Sequence, residues 1–261
     1  MAGGAILVTL TYDGTDFAGW QRQPGQRTVQ GVLEDAIAAM DGARPDKARA
    51  ASRTDSGVHA EGQPVAFDPV REIPPDGWVQ GLNRHLPDDV AVRAAEPKPR
   101  GYDPRFDATG KHYRYLILTS DARDPLLRNR TWHVGRRLDV AAMARAGAVL
   151  EGEHDFAAFK AANDERENTV RRLDRVEVVP GWGGRDDVIA IDVEGNAFLK
   201  NMVRIIAGTL YEAGRGRMDV ESVRALVALG AGRASAGPTA PPEGLVLVSV
   251  SLGRLRPGED R

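Results

Sequence analysis

Arg53-Thr54-Asp55-Ser56-Gly57-Val58-His59 sets one carboxylate between an arginine two residues before it and a glycine two residues after it. A guanidinium that close favours the ionised carboxylate and can engage both its oxygens, so the pattern suits an Asp kept as an anion, able to act as nucleophile or base. Ser56-Gly57 lets the chain turn sharply, because glycine takes positive φ without strain, and a sharp turn can present Asp55 from a loop. The same residues would also make a plain surface turn with an ion pair, since short polar motifs recur by chance. What surrounds the turn separates the two readings.

Outward from the loop, residues 5–12 are aliphatic and β-branched and stop at Asp13-Gly14, the pattern of a strand. Residues 28–40 fit a helix: Thr28 can cap it, and Val29, Val32, Leu33, Ala36, Ile37 and Met40 fall on one face. Short strands are expected on either side of the Arg53 loop, the second covering residues 65–67. Pro74-Pro75-Asp76 opens another helix with Trp78, Val79, Leu82 and Leu86 inward, residues 90–95 read as a strand, and Pro97-Lys98-Pro99-Arg100-Gly101 as a connection. Past residue 105 the theme returns, with strands over 113–118, 176–180, 188–193 and 245–252 and helices over 139–150, 198–213 and 220–229. Asp16-Phe17-Ala18-Gly19-Trp20 is echoed by Asp155-Phe156-Ala157-Ala158-Phe159, and a Thr-Val pair follows each, at Thr28-Val29 and Thr169-Val170. The expectation is an α+β fold of two similar halves sharing a largely antiparallel sheet with flanking helices. The N-terminal half spans 1–105 and carries the Asp55 loop, the C-terminal half spans 106–253, and 254–261 form a tail.

Four blocks follow one another along the chain. They are Tyr12-Asp13-Gly14-Thr15-Asp16-Phe17-Ala18-Gly19-Trp20-Gln21-Arg22-Gln23 leading into Thr28-Val29-Gln30, the Arg53 block, Lys111-His112-Tyr113-Arg114-Tyr115, and Asn201-Met202-Val203-Arg204. Together, from about Leu7 to Val250, they resemble the TruA family of tRNA pseudouridine synthases. Ser52 and Ser56 stand where Gly and Ala are frequent in that family, and both are small. The resemblance implies the pseudouridine synthase fold with a cleft between the halves. Its implied substrates are uridines 38, 39 and 40 of the tRNA anticodon stem-loop, bound by a homodimer with one tRNA spanning both subunits. Asp55 is then the nucleophile, and Arg53 orients it or binds the RNA backbone. Tyr113 stacks on the flipped base or accepts the C5 proton, and Arg204 pairs with Asp55 across the two halves. Leu245, after Glu243-Gly244, is a candidate to line the base pocket, although a buried strand leucine would look the same. By itself Tyr113 reads as an ordinary strand aromatic, and His59 as a hydrogen-bonding residue of the loop.

Pseudouridine formation breaks the N1–C1′ bond, turns the uracil and rejoins it through C5, chemistry that calls for no oxidant, phosphate transfer or metal. No P-loop or dinucleotide-binding glycine loop is present, the histidines at 59, 85, 112, 133 and 154 lack paired ligand spacing, and cysteine is absent, so no cofactor or metal is expected. A carboxylate nucleophile splits such a reaction into easier steps; attack at C1′, attack at C6 and a glycal route in which Asp55 removes a sugar proton all fit the residues. A non-catalytic RNA-binding module would leave the Arg53 loop without purpose. A carboxylate hydrolase acting on a small substrate would want a second carboxylate nearby, and the loop offers only Glu61.

A net charge of −2 argues against a nucleic-acid partner until its distribution is read. Arginines gather at Arg100, Arg105 and Arg114 with Lys111, at Arg123, Arg128, Arg130, Arg136 and Arg137, and at Arg166, Arg171, Arg172 and Arg175. Acidic residues collect elsewhere, over 34–46 and at Asp186, Asp187, Asp192 and Glu194. A basic face on a mildly acidic protein suffices for RNA docking, with Arg171 and Arg172 assigned to it; an arginine-biased composition is the plainer account. The N-terminal apolar run lacks a preceding basic region and is broken by Thr9 and Asp13, which suits a strand and not a signal peptide. No apolar stretch is long enough to span a bilayer, and a chain without cysteine is compatible with the cytoplasm.

Overall fold

The computed structural model describes residues 4–228 and 230–253. Its elements run β1 (Ala5–Tyr12), α1 (Val29–Asp41), β2 (Arg49–Ala50), β3 (His59–Phe67), α2 (Pro75–His85), β4 (Val90–Lys98), α3 (Pro104–Asp107), β5 (Ala108–Leu118), β6 (Trp132–His133), α4 (Val140–Ala148), β7 (Gly152–Asp155), β8 (Val170–Pro180), β9 (Val188–Gly195), α5 (Met202–Gly214), α6 (Val220–Ala225) and β10 (Leu245–Leu252). By packing, the chain divides into two compact units, one holding the residues up to Thr109 together with those from Leu247 on, the other Gly110–Val246.

The first unit is a sheet in the order β4-β1-β3-β10, with β2 beside β3. Central β1 pairs antiparallel with β3 (Ile6 opposite Phe67) and with β4 (Ala5 opposite Lys98). Its first four residues are all buried, which is why they read as an unbroken aliphatic run instead of alternating. Strand β4 continues past the expected stop at residue 95 and includes Pro97 opposite Ile6. It lies at the sheet edge, where a residue without an N–H breaks no ladder. Thr28 caps α1 by accepting from the Gly31 N–H at 3.2 Å, and Gly42 (φ 84°) closes it. Val29, Leu33, Ala36 and Ile37 are buried, while Val32 and Met40 are half-buried. Phe67 of β3 and Trp78 of α2, both fully buried, meet edge to face at 5.1 Å, a geometry worth about 0.5–1.5 kcal/mol beyond the area buried. The acidic run over 34–46 is not simply a solvated face. Glu34 is buried and accepts from Gln30 Nε2 (2.8 Å) and the Ala48 N–H (3.1 Å), while Asp41 accepts from the Val70 and Arg71 N–H groups at 2.8 and 2.9 Å.

The second unit is a sheet in the order β5-β9-β8-β7, antiparallel throughout, with β6 parallel to β5. Helix α4 packs on β8 and on α5. One face of the sheet carries the buried cluster Leu116, Leu118, Val188 and Ala190, covered by Leu127, Val179 and Trp182. Helix α5 starts at Met202, later than the expected residue 198, because Asn201 takes the left-handed conformation (φ 61°) and the Lys200 N–H donates to Asp164 Oδ2 at 2.9 Å. The echoed Thr-Val pairs do different work: Thr28 caps a helix, whereas the Thr169 hydroxyl bonds Asp155 Oδ1 at 2.5 Å beside the start of β8.

The break between the two units follows Thr109. Strand β10 joins the first unit from Leu247 on, hydrogen-bonded beside β3. The tail expected over 254–261 and the helix end expected at residue 229 lie outside the described residues. Among the described residues no helix is long and apolar enough to cross a membrane.

Candidate active site

In the first unit the Asp55 loop joins β2 to β3 and is held mainly by its backbone. The Ala51 N–H donates to the Pro64 carbonyl (3.0 Å), Gln63 Nε2 to the Ser52 carbonyl (2.5 Å) and the Trp20 N–H to the Thr54 carbonyl (3.0 Å). Thr54 is buried, its hydroxyl 2.8 Å from the Tyr12 phenol. Asp55 opens a β-turn closed by the Val58 N–H on the Asp55 carbonyl at 3.2 Å. Gly57 is its third residue, at φ 77°, a position that glycine fills without strain. The Gly57 N–H and the Ser56 hydroxyl both donate to the Phe17 carbonyl, at 3.3 and 3.1 Å.

The first sequence block is the bed on which this turn lies. A Cβ on Gly14 would stand 2.0 Å from the Val58 carbonyl oxygen, and one on Gly19 2.9 Å from the Thr54 oxygen and 3.2 Å from the Asp55 carbonyl carbon. His59 is buried and its Nδ1 lies 3.0 Å from the Gly14 N–H and 3.1 Å from Asp13 Oδ1. One nitrogen cannot accept from an amide and donate to a carboxylate at once, and the fixed direction of the amide makes Nδ1 the acceptor of a neutral ring. His59 is thus a loop-fixing residue, the role read for it in the sequence.

Asp55 is half-exposed and Arg53 exposed. The arginine does not dock the carboxylate as the sequence suggested: among the described residues no hydrogen bond or salt bridge joins the two, and Thr54 between them provides the anchor. Nor, among the described residues, is any group of three or more His, Asp or Glu side chains placed to hold a metal ion.

The other candidates lie in the second unit. Tyr113 of β5 is buried, its ring edge to face with Phe198 at 5.1 Å. Arg204, in the first turn of α5, stands among buried Met202, Val203, Ile205 and Ile206. A cation there needs partners, and Nε donates to the Ala240 carbonyl at 2.6 Å and Nη1 to Asn201 Oδ1 at 3.2 Å, while the Ala240 N–H returns a bond to the Arg204 carbonyl (3.1 Å). Two further residues of the quoted blocks belong to this cluster, and no local pattern marks them for it. Asn201 is the only non-glycine residue with positive φ among those described. Tyr115 donates its hydroxyl to the Pro241 carbonyl at 2.8 Å; burial pushes that phenol well above its usual range, Glu243 adds to the push and Arg204 opposes it. Gly244 passes so close that a Cβ would sit 2.7 Å from the Tyr115 ring, and Leu245, buried, begins β10 just beyond it. The sequence signal for this cluster is the turn-rich Pro241-Pro242-Glu243-Gly244, directly before Leu245.

Arg171 and Arg172 do not form one face. They are successive residues of β8, and a strand sends neighbours to opposite sides. Arg171 is half-buried, its Nε without a hydrogen bond, and burial, helped by nearby Arg166, lowers its pKa; Arg172 is exposed and pairs with Asp174 at 2.8 Å. The acidic residues are not apart from the basic ones either. Asp192 accepts from His112 (2.5 Å) and from Arg114 Nε and Nη2 (3.0 and 2.9 Å), and Glu194 takes Arg175 (2.6 Å). Burial alone would raise the Asp192 carboxyl, but the His112 and Arg114 bonds outweigh it and hold it below the usual carboxylate range.

A family model described as tRNA pseudouridine synthase matches residues 9–107 and 146–251, taking in both the Asp55 loop and the Arg204 helix. Proteins called tRNA pseudouridine synthase A are similar along nearly the whole chain. That of Geobacter sulfurreducens is 47% identical over 245 residues, covering 94% of this chain and 98% of its own. That of Myxococcus xanthus is 46% identical, covering 94% and 91%, and that of Halalkalibacterium halodurans 45% identical, covering 92% and 90%. With a matching family model over most of its length and relatives this similar from end to end, the chain belongs to the tRNA pseudouridine synthase family, isomerases that convert uridine in tRNA to pseudouridine.

Proposed function

We propose that the protein acts on uridines 38, 39 and 40 of the tRNA anticodon stem-loop, with Asp55 as the nucleophile. The observation that carries this reading is the Asp55 turn. Main-chain bonds, the Thr54 hydroxyl and two close-packed glycines hold its backbone, while among the described residues the half-exposed Asp55 side chain is spent on no internal bond. A reactive group fixed from behind and free in front is pre-organised for attack. The target uridine must leave its stack to react, and basic side chains hold the backbone meanwhile. Arg53, exposed and without a partner among the described residues, suits that work. Arg204 and Tyr113 are proposed to serve the same reaction, and Leu245 to contact the base, as the family resemblance implies. The enzyme is proposed to work in the cytoplasm as a homodimer.

Incubating unmodified tRNA with the purified protein and mapping pseudouridine by nucleotide tests the reading. Product at 38–40 is expected; product only elsewhere in the tRNA would overturn the site, and none at all the activity. The same assay divides the roles of Tyr113, whose ring offers an aromatic face and a polar tip. If the hydroxyl moves the C5 proton, which is the role proposed, Tyr113→Phe is expected to be as impaired as Tyr113→Ala. A fully active Phe variant would leave stacking as the sole role.

A further inference from the structure

The segment between β5 and α4 holds none of the candidate active-site residues described above, and it is rich in arginine. Residues 121–137 carry Arg123, Arg128, Arg130, Arg136 and Arg137 against only Asp121 and Asp124, and Asp124 is already engaged by Arg185 at 2.9 Å. Arg123, Arg128, Arg136 and Arg137 are exposed and have no hydrogen-bond or salt-bridge partner among the described residues. Several other arginines of the same unit are occupied: Arg114 by Asp192, Arg172 by Asp174, Arg175 by Glu194 and Glu177.

The segment is firmly mounted. Leu127 packs on the Leu116, Leu118, Val188 and Ala190 cluster beside Trp182. Asp124 caps the turn at its tip, accepting from the Leu126 N–H (2.8 Å), and the Arg130 and Thr131 N–H groups bond the Leu127 carbonyl at 2.9 and 3.2 Å. Farther on, β6 runs beside β5, the Val134 N–H donates to the Leu118 carbonyl (2.9 Å), and Trp132 packs against Tyr211 with ring centres 4.5 Å apart. Above this base Leu126 is 88% exposed, between Arg123 and Arg128 in sequence.

Unpaired guanidinium groups on a rigid scaffold complement a partner that is anionic along its length, and phosphodiesters meet that description. An apolar side chain among them suits a partner whose ribose and base faces lie next to its charges. We infer that this segment is an RNA-docking surface that takes the tRNA backbone away from the reacting base, with Arg123, Arg128, Arg136 and Arg137 on phosphates and Leu126 against a sugar or base face. The inference rests on the reading that tRNA is the substrate.

Binding of unmodified tRNA, measured by fluorescence anisotropy between 50 and 200 mM salt, tests it in the full chain carrying Arg123→Gln with Arg128→Gln, or Arg136→Gln with Arg137→Gln. Each lost phosphate contact flattens the log-log salt slope by about 0.7–0.9, so two lost contacts should spare roughly tenfold of the salt-induced loss of affinity. The paired lysine replacements, which keep the charge, should restore the wild-type slope. Folded glutamine variants with the wild-type slope would overturn the proposal. So would a changed oligomeric state by light scattering at unchanged slope, which would make the segment a contact between copies of the chain. The two readings fail separately. A wild-type protein that makes no pseudouridine at 38–40 while the glutamine variants flatten the slope sinks the proposed target but not the surface; normal product with an unchanged slope does the reverse.

Discussion

Asp55→Asn is expected to give a folded protein that binds tRNA and makes no pseudouridine. The substitution keeps size and shape and removes the anion. Among the described residues no internal bond uses the Asp55 side chain, so the loop loses none of its anchors, and stability should move by no more than about 0.5 kcal/mol. Removing a nucleophile or the group that activates it typically costs on the order of 10⁴–10⁶ in turnover. Hydrogen released from C5-tritiated tRNA reports the reaction and thermal unfolding reports the fold. Turnover within tenfold of the wild type, free of contaminating enzyme, would remove Asp55 as the nucleophile.

Gly14→Ala should also damage turnover, by a smaller factor, although Gly14 carries no side chain. Its new methyl would lie 2.0 Å from the Val58 carbonyl oxygen and 2.5 Å from the carbonyl carbon. Both are backbone atoms at the end of the Asp55 turn, so the turn itself must move. Overpacking of this kind costs roughly 1–3 kcal/mol, and a shift of about 1 Å in a reacting group can cost about 10²-fold in rate. Gly25→Ala is the control. Gly25 also has positive φ (69°), but nothing lies within 4 Å of its Cβ position, so the change should cost at most about 1–2 kcal/mol of backbone strain and leave turnover intact. Wild-type kcat/KM in Gly14→Ala would show that the turn does not depend on the close approach.

Features written into consecutive residues were legible in the sequence. The aliphatic run of β1, the Thr28 cap and the Gly57 turn each announce a local geometry, and the structure has all three. Features that depend on which strands become neighbours were not. Arg53 and Asp55 looked like a pair because they are close in sequence, but the loop hangs on Thr54 and Tyr12. Arg171 and Arg172 looked like a patch for the same reason, and strand alternation parts them. The links from Arg204 to Ala240 and from Tyr115 to Pro241 span 36 and 126 residues, and no window of sequence shows such a closure. Gly14 and Gly19 fall in between: the sequence marks them as glycines, and only the approach of the Asp55 loop gives the reason.

Strand β10 gives the molecule an unusual order of construction. The unit that bears Asp55 holds both β1 and the part of β10 from Leu247 on, with all of Gly110–Val246 made in between. As the chain is made, the stretch of β3 around Gly62 therefore waits for β10, whose Val248 carbonyl would lie 2.7 Å from a Cβ on Gly62. Contacts that far apart in sequence close late and carry a large loop-closure entropy. A chain that stopped short of β10 would carry the Asp55 turn and β3 without the strand that borders Gly62.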